Sequence, residues 1–126
     1  MRYFALATLV LAACGGGETS PPPADAPAPD SPAVNVEALA SCPATVDATI
    51  EDSASAFVPA ASTISAGGVV KFVITAEHFV VPNTLVTTDP ALEVDRGETK
   101  CFRFNAPGTY GFLCGVHSFT GTITVQ

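Results

Sequence analysis

Pro107-Gly108-Thr109-Tyr110-Gly111-Phe112-Leu113-Cys114-Gly115-Val116-His117-Ser118-Phe119-Thr120-Gly121-Thr122-Ile123-Thr124-Val125 is the stretch on which the reading of this chain turns. Tyr110 to Cys114 reads as a strand and Gly121 to Val125 as another, because both are rich in β-branched and aromatic residues with period-two alternation. The loop between them carries a cysteine and a histidine three positions apart, a spacing that can bring one thiolate and one imidazole onto a single metal ion. The chain has two histidines, and the other, His78, follows the apolar strand Val69 to Thr75. Two imidazoles and a thiolate are a donor set suited to copper that moves between two oxidation states.

Cys-x-x-His alone is a weak pattern, and its flanks carry the specificity. Pro107-Gly108-Thr109-Tyr110-x-Phe112-x-Cys114-x-x-His117-x-x-x-Gly121-Thr122-Ile123-Thr124-Val125 resembles the end of a small blue-copper protein, a cupredoxin of the plastocyanin and amicyanin type. Upstream, Ile64-Ser65-Ala66-Gly67-Gly68-Val69-Val70-Lys71-Phe72-Val73 resembles that family's first-ligand strand, with His78 in the place of the first histidine. The resemblance runs over roughly residues 60 to 126. It implies an antiparallel Greek-key β-sandwich, one copper ion cycling between Cu(II) and Cu(I), ligands His78, Cys114 and His117, and a role as an electron carrier. It also implies an exposed edge on the second histidine, ringed here by Val116, Phe119 and Pro82.

Two positions depart from the family pattern. The axial methionine is missing, since the only Met is Met1. Alignment on Gly121 puts Phe119 or Thr120 in its place, and the backbone near Glu77 is the next candidate axial neighbour. A weak axial ligand tunes potential rather than creating affinity, so its loss leaves copper binding open. A Phe there would make a drier, three-coordinate site that favours Cu(I). The second departure is Phe79, where the family usually has an Asn that braces the two ligand loops.

The N-terminus sets the expected address. Met1-Arg2-Tyr3 is a short basic start, Phe4 to Val10 an apolar run, and Leu11-Ala12-Ala13-Cys14 a small-residue cleavage site. Residues 1–13 therefore read as a bacterial lipoprotein signal peptide, with Cys14 the lipidated residue after cleavage. The apolar run is too short to span a bilayer. Gly15, rather than Asp, follows Cys14, and the resemblance of this start to Gram-negative lipoproteins implies the periplasmic face of the outer membrane. Residues 14–40 lack aromatic residues, Lys and Arg, and hold six of the eleven prolines. Such a stretch cannot bury enough apolar surface to offset its ordering entropy and reads as a disordered tether. The folded domain is expected over 41–126.

With Cys14 on lipid and Cys114 on metal, Cys42 and Cys101 remain for a disulfide, which a periplasmic compartment would permit. A rival Cys101–Cys114 bridge would destroy the metal site. Within the domain, Val70, Phe72 and Ile74 share one strand face, as do Phe102 with Phe104, Tyr110 with Phe112, and Ile123 with Val125. Cys101 and Arg103 then point away from the core. Arg96-Gly97-Glu98 and Ala106-Pro107-Gly108 read as turns. No segment has a helical period, so the fold class is all-β.

The formal net charge is −7, and loss of Arg2 with the leader makes the mature chain more acidic still. That excludes nucleic acid as a partner, which needs a basic face. The expected partners are redox proteins of the cell envelope, with the membrane reached only through the lipid anchor and the chain a monomer. No Ser-His-Asp arrangement or phosphate loop is visible, and both histidines are used in one site, so an enzyme is not expected. Two rival readings are copper binding or delivery without redox turnover, and a copper-free structural domain. Zinc could use the same three donors with an open fourth position. It ranks lower because only Glu77 lies near as a general base.

Overall fold

The computed structural model describes residues 34–126, which form nine strands and, among those residues, no helix. The signal peptide, Cys14 and most of the tether lie outside the described residues. Strands β1 (Val36–Ala38), β7 (Thr99–Phe104), β5 (Gly68–Val73), β2 (Ala48–Asp52) and β3 (Phe57–Val58) make one sheet in that order. Strands β4 (Ala61–Ile64), β9 (Thr120–Val125), β8 (Gly108–Cys114) and β6 (Val80–Pro82) make the other. The result is an all-β sandwich.

Its core follows from period-two alternation. Val70 sits opposite Phe102 and Gly68 opposite Phe104, so one face of β5 and β7 presents Val70, Phe72, Phe102 and Phe104 inward. In the second sheet Tyr110 pairs with Ile123 and Phe112 with Gly121. Phe112 packs between Phe57 and Phe72, with ring centroids 4.9 and 5.2 Å away. A Cβ on Gly121 would fall well inside the fully buried Phe112 ring, so a glycine is required there. Tyr110 closes the lower end, its hydroxyl donating to the Ala106 carbonyl at 2.8 Å.

Two expectations are corrected. The sheets are not purely antiparallel: β2 runs parallel to β5, and β4 parallel to β9. The sheet also begins ahead of residue 41, because β1 pairs with β7 and Val36 is buried. A three-residue strand has too little length to show a period against a tether-like background. Cys101, on the outer face of β7, is buried. It is bonded to Cys42, with Cα atoms 5.2 Å apart, and its carbonyl accepts from the Leu39 N–H at 2.9 Å. The N-terminal segment therefore lies over it. Cys114 is left as a buried free thiol.

Candidate metal centre

The centre lies where β8 turns into β9. Cys114 ends β8, and the hairpin is closed by Cys114 N–H donating to the Phe119 carbonyl (2.9 Å) and Ser118 N–H to the Cys114 carbonyl (3.0 Å). Ser118 has φ 59°, the left-handed conformation that lets the chain reverse within this short loop. Val80 pairs with Cys114 across β6 and β8, which brings the segment carrying His78 alongside the hairpin.

The two imidazoles meet. Their ring centroids are 5.0 Å apart at an interplanar angle of 77°, with His78 buried (2 % exposed) and His117 exposed. Cys114 is fully buried at the adjoining strand end. Among the described residues, no three His, Cys, Asp or Glu side chains converge as a ready-made metal cluster. The donor types nevertheless suit copper: one thiol and two imidazoles sit on neighbouring elements at one end of the sandwich.

The candidate axial residues separate clearly. Phe119 lies edge-on to His78 (5.2 Å) and parallel to His117 (6.2 Å, 4°), and its other side meets Phe57 at 4.7 Å. Thr120 begins β9 and is exposed. Glu77 is exposed too, and its carbonyl accepts from Arg96 Nη1 at 2.7 Å. Phe119 is thus the one of the three shown packed on the imidazoles. Of the expected apolar ring around His117, Val116 is exposed (47 %), whereas Phe119 and Pro82 are half-buried.

Two parts of the surroundings carry contacts that sequence reading did not foresee. The first is Phe79, whose ring lies so close over Gly115 that a Cβ there would clash with it. Arg96 covers the same ring, its guanidinium carbon 5.1 Å from the centroid. An aromatic ring against a glycine therefore links the His78 segment to the Cys114 segment at the position where an Asn was expected. The second is Asp52, at the end of β2, in hydrogen-bond contact with His78 Nδ1 through Oδ2. Thr75 N–H donates to Asp52 Oδ1 at 2.9 Å, and Thr75 Oγ1 donates to Oδ2 at 2.5 Å. The Asp52 side chain is only 1 % exposed. Burial alone would raise its pKa, but the bonds from Thr75 and His78 together outweigh this and hold the carboxyl below its ordinary value. Nothing in the local sequence around His78 signals Asp52. It arrives through the parallel pairing of β2 with β5.

Solved structures share this architecture. Amicyanin from Paracoccus versutus (Thiobacillus versutus) matches with a TM-score of 0.58 at 18% identity, over 73% of this chain and 98% of that one. An amicyanin mutant in its reduced state matches with a TM-score of 0.54 at 18% identity, over 75% and 95% of the two chains. The Cu-containing nitrite reductase from Thermus scotoductus SA-01 matches with a TM-score of 0.52 at 25% identity, over 63% of this chain; the match spans only 22% of that enzyme. No protein-family model matches the chain, and no curated protein matches it in sequence. The chain has the cupredoxin fold, structurally similar to amicyanin at low identity.

Proposed function

We propose that this chain is a type 1 copper protein that carries single electrons at the periplasmic face of a bacterial membrane, anchored through lipid on Cys14. The outer membrane is favoured, the partners are redox proteins of the envelope, and the chain acts as a monomer without enzymatic turnover. The observation that carries the reading is the pairing of one buried and one exposed imidazole, ring centroids 5.0 Å apart, with a buried free thiol at the end of the adjoining strand β8 of a cupredoxin fold.

His78, Cys114 and His117 would hold the copper, which supplies a one-electron couple when bound. The chain contributes the rest. Burial of Cys114 keeps its thiol from bulk water and oxidants. The two closing bonds of the 114–119 hairpin hold Cys114 and His117 on one short loop, which limits rearrangement when the charge at the centre changes. Exposed His117, with Val116 beside it, offers an edge through which an electron could pass to a docked partner. A small patch of that kind suits brief, weak encounters. Phe119 covers the imidazoles on one side and supplies no donor atom, so the centre should be low-coordinate and should favour Cu(I).

The test is reductive titration of the copper-loaded protein. One electron per chain, taken up and released reversibly with loss and return of the visible colour, is expected. Copper that binds but is passed to a chelating acceptor with no reversible optical change would favour delivery over electron transfer.

A further inference from the structure

We propose that Arg96 is a positioning residue of this centre: through Phe79 and Gly115 it clasps the turn that carries His78 to the loop that carries Cys114 and His117. The inference rests on the reading of the centre given above, and it concerns what keeps the two ligand segments together.

The clasp starts from a turn remote in sequence from the Cys114 loop. Asp95 to Glu98 reverses the chain just ahead of β7, with Glu98 N–H donating to the Asp95 carbonyl (3.2 Å). Gly97 has φ 72° there, a conformation in which a residue with a Cβ would be strained. Two backbone bonds lay this turn against the His78 segment: Gly97 N–H donates to the Thr75 carbonyl (3.0 Å), and Ile74 N–H to the Glu98 carbonyl (3.0 Å). Arg96 is thereby delivered beside His78. Its Nη1 donates to the Glu77 carbonyl at 2.7 Å and lies 3.5 Å from the Ala76 carbonyl oxygen. Its guanidinium carbon is 5.1 Å from the centroid of the Phe79 ring. One side chain therefore holds the residue before His78 by its backbone and the residue after it by its ring.

Phe79 carries the hold across to the other ligand segment. Its half-buried ring lies so close over Gly115 that a Cβ there would clash with it. Gly115 follows Cys114 directly and precedes His117 by two positions. A guanidinium suits this place because it is planar: it can lie over a ring while its N–H groups reach a carbonyl, whereas a lysine ammonium brings the same charge without the flat face. The rival arrangement is a solvated arginine that lends only its charge to the rim. Asp95 and Glu98 flank Arg96 in the chain, yet its guanidinium is engaged with carbonyl oxygen and an aromatic ring.

The test uses the full chain and the variants Arg96→Ala, Arg96→Lys and Phe79→Leu, first free of metal. NMR reads the Gly115 α-protons, which the current of the Phe79 ring displaces; Phe79→Leu marks their undisplaced position. If Phe79→Leu does not fold, an unstructured glycine peptide supplies that position. In Arg96→Ala and Arg96→Lys the signals should move towards it, because the ring is no longer held. Signals that stay at the wild-type position in both would overturn the proposal. A second arm follows Cu(I) transfer from the loaded protein to a chromophoric chelator. Loss of the ring contact and the carbonyl bond should speed release about fivefold in both Arg96 variants. An arginine acting by charge alone gives a different pattern. Arg96→Ala, with one positive charge fewer beside the metal, would then release Cu(I) more slowly, and Arg96→Lys would match wild type. That pattern would overturn the clasp. Failure of the wild type to bind Cu(I) would instead overturn the copper reading, while the metal-free Gly115 signals still judge the link from Arg96 through Phe79.

Discussion

Removing the Cys42–Cys101 bridge should separate what holds this sandwich together from what it holds. The bridge spans a sequence separation of 59 and ties the segment ahead of β2 to the outer face of β7. In the chain-entropy treatment, closing a loop of that length restricts the unfolded chain by about 4 kcal/mol at 25 °C. A domain of this size has only about 5–15 kcal/mol of stability in total, so the loss is a large fraction. At about 4–8 °C per kcal/mol for a domain of up to a hundred residues, the melting temperature should drop by roughly 15–30 °C. Cys42→Ala/Cys101→Ala is the variant to use, because a disulfide reductant would also reduce or strip bound copper. Urea titrations of the metal-free wild type and the double variant give the difference, and peptide mapping of the wild type gives the connectivity. Cys114 is in the other sheet, so the copper-loaded variant, kept below its lowered melting point, should retain the wild-type visible spectrum. A loss below about 1 kcal/mol would refute the loop reasoning. A mapped bridge containing Cys114 would refute the division of labour among the cysteines.

Further outcomes are expected elsewhere. Gly121→Ala should destabilise by about 1–3 kcal/mol in the same titration, since the Phe112 ring it would strike is fully buried against Phe57 and Phe72. Tyr110 is held above its ordinary pKa of 10.0 by burial and by the nearby Asp89 charge. The unfolded chain therefore loses this proton first, so stability should fall as pH rises through 10 and level off only above the raised folded value. Tyr110→Phe should flatten that alkaline slope and, at neutral pH, lose about 1 kcal/mol with the bond to Ala106. Phe119→Met, followed by voltammetry, should lower the reduction potential, because an added weak sulfur donor stabilises Cu(II). Thr120→Met should leave the potential unchanged, and the opposite pattern would mean that Phe119 does not face the metal.

Much of the sandwich was legible because its long strands repeat with period two. Val70, Phe72, Phe102, Phe104, Phe112, Ile123 and Val125 could each be placed on an inner face from alternation alone, and all are buried. Strands of two or three residues carry no such signal, which is why β1 and β3 escaped notice. Parallel pairing of β2 with β5 and of β4 with β9 was equally hidden, since alternation marks a face and says nothing of a neighbour's direction. The candidate site divides along the same line. Cys114 and His117 share one short loop and announce themselves by spacing. Asp52 reaches His78 only through that parallel pairing, and the Phe79–Gly115 contact only through the pairing of β6 with β8. Spacing can nominate donors, but the groups that orient them come from remote segments that only tertiary structure brings near.

The most direct measurement is a Cu(II) titration followed in the visible, on wild type and Cys114→Ser side by side. Saturation at one copper per chain with an intense thiolate-to-copper band, absent from Cys114→Ser, is expected from a centre built on Cys114, His78 and His117. No intense band in the wild type, or the same band in Cys114→Ser, would contradict it.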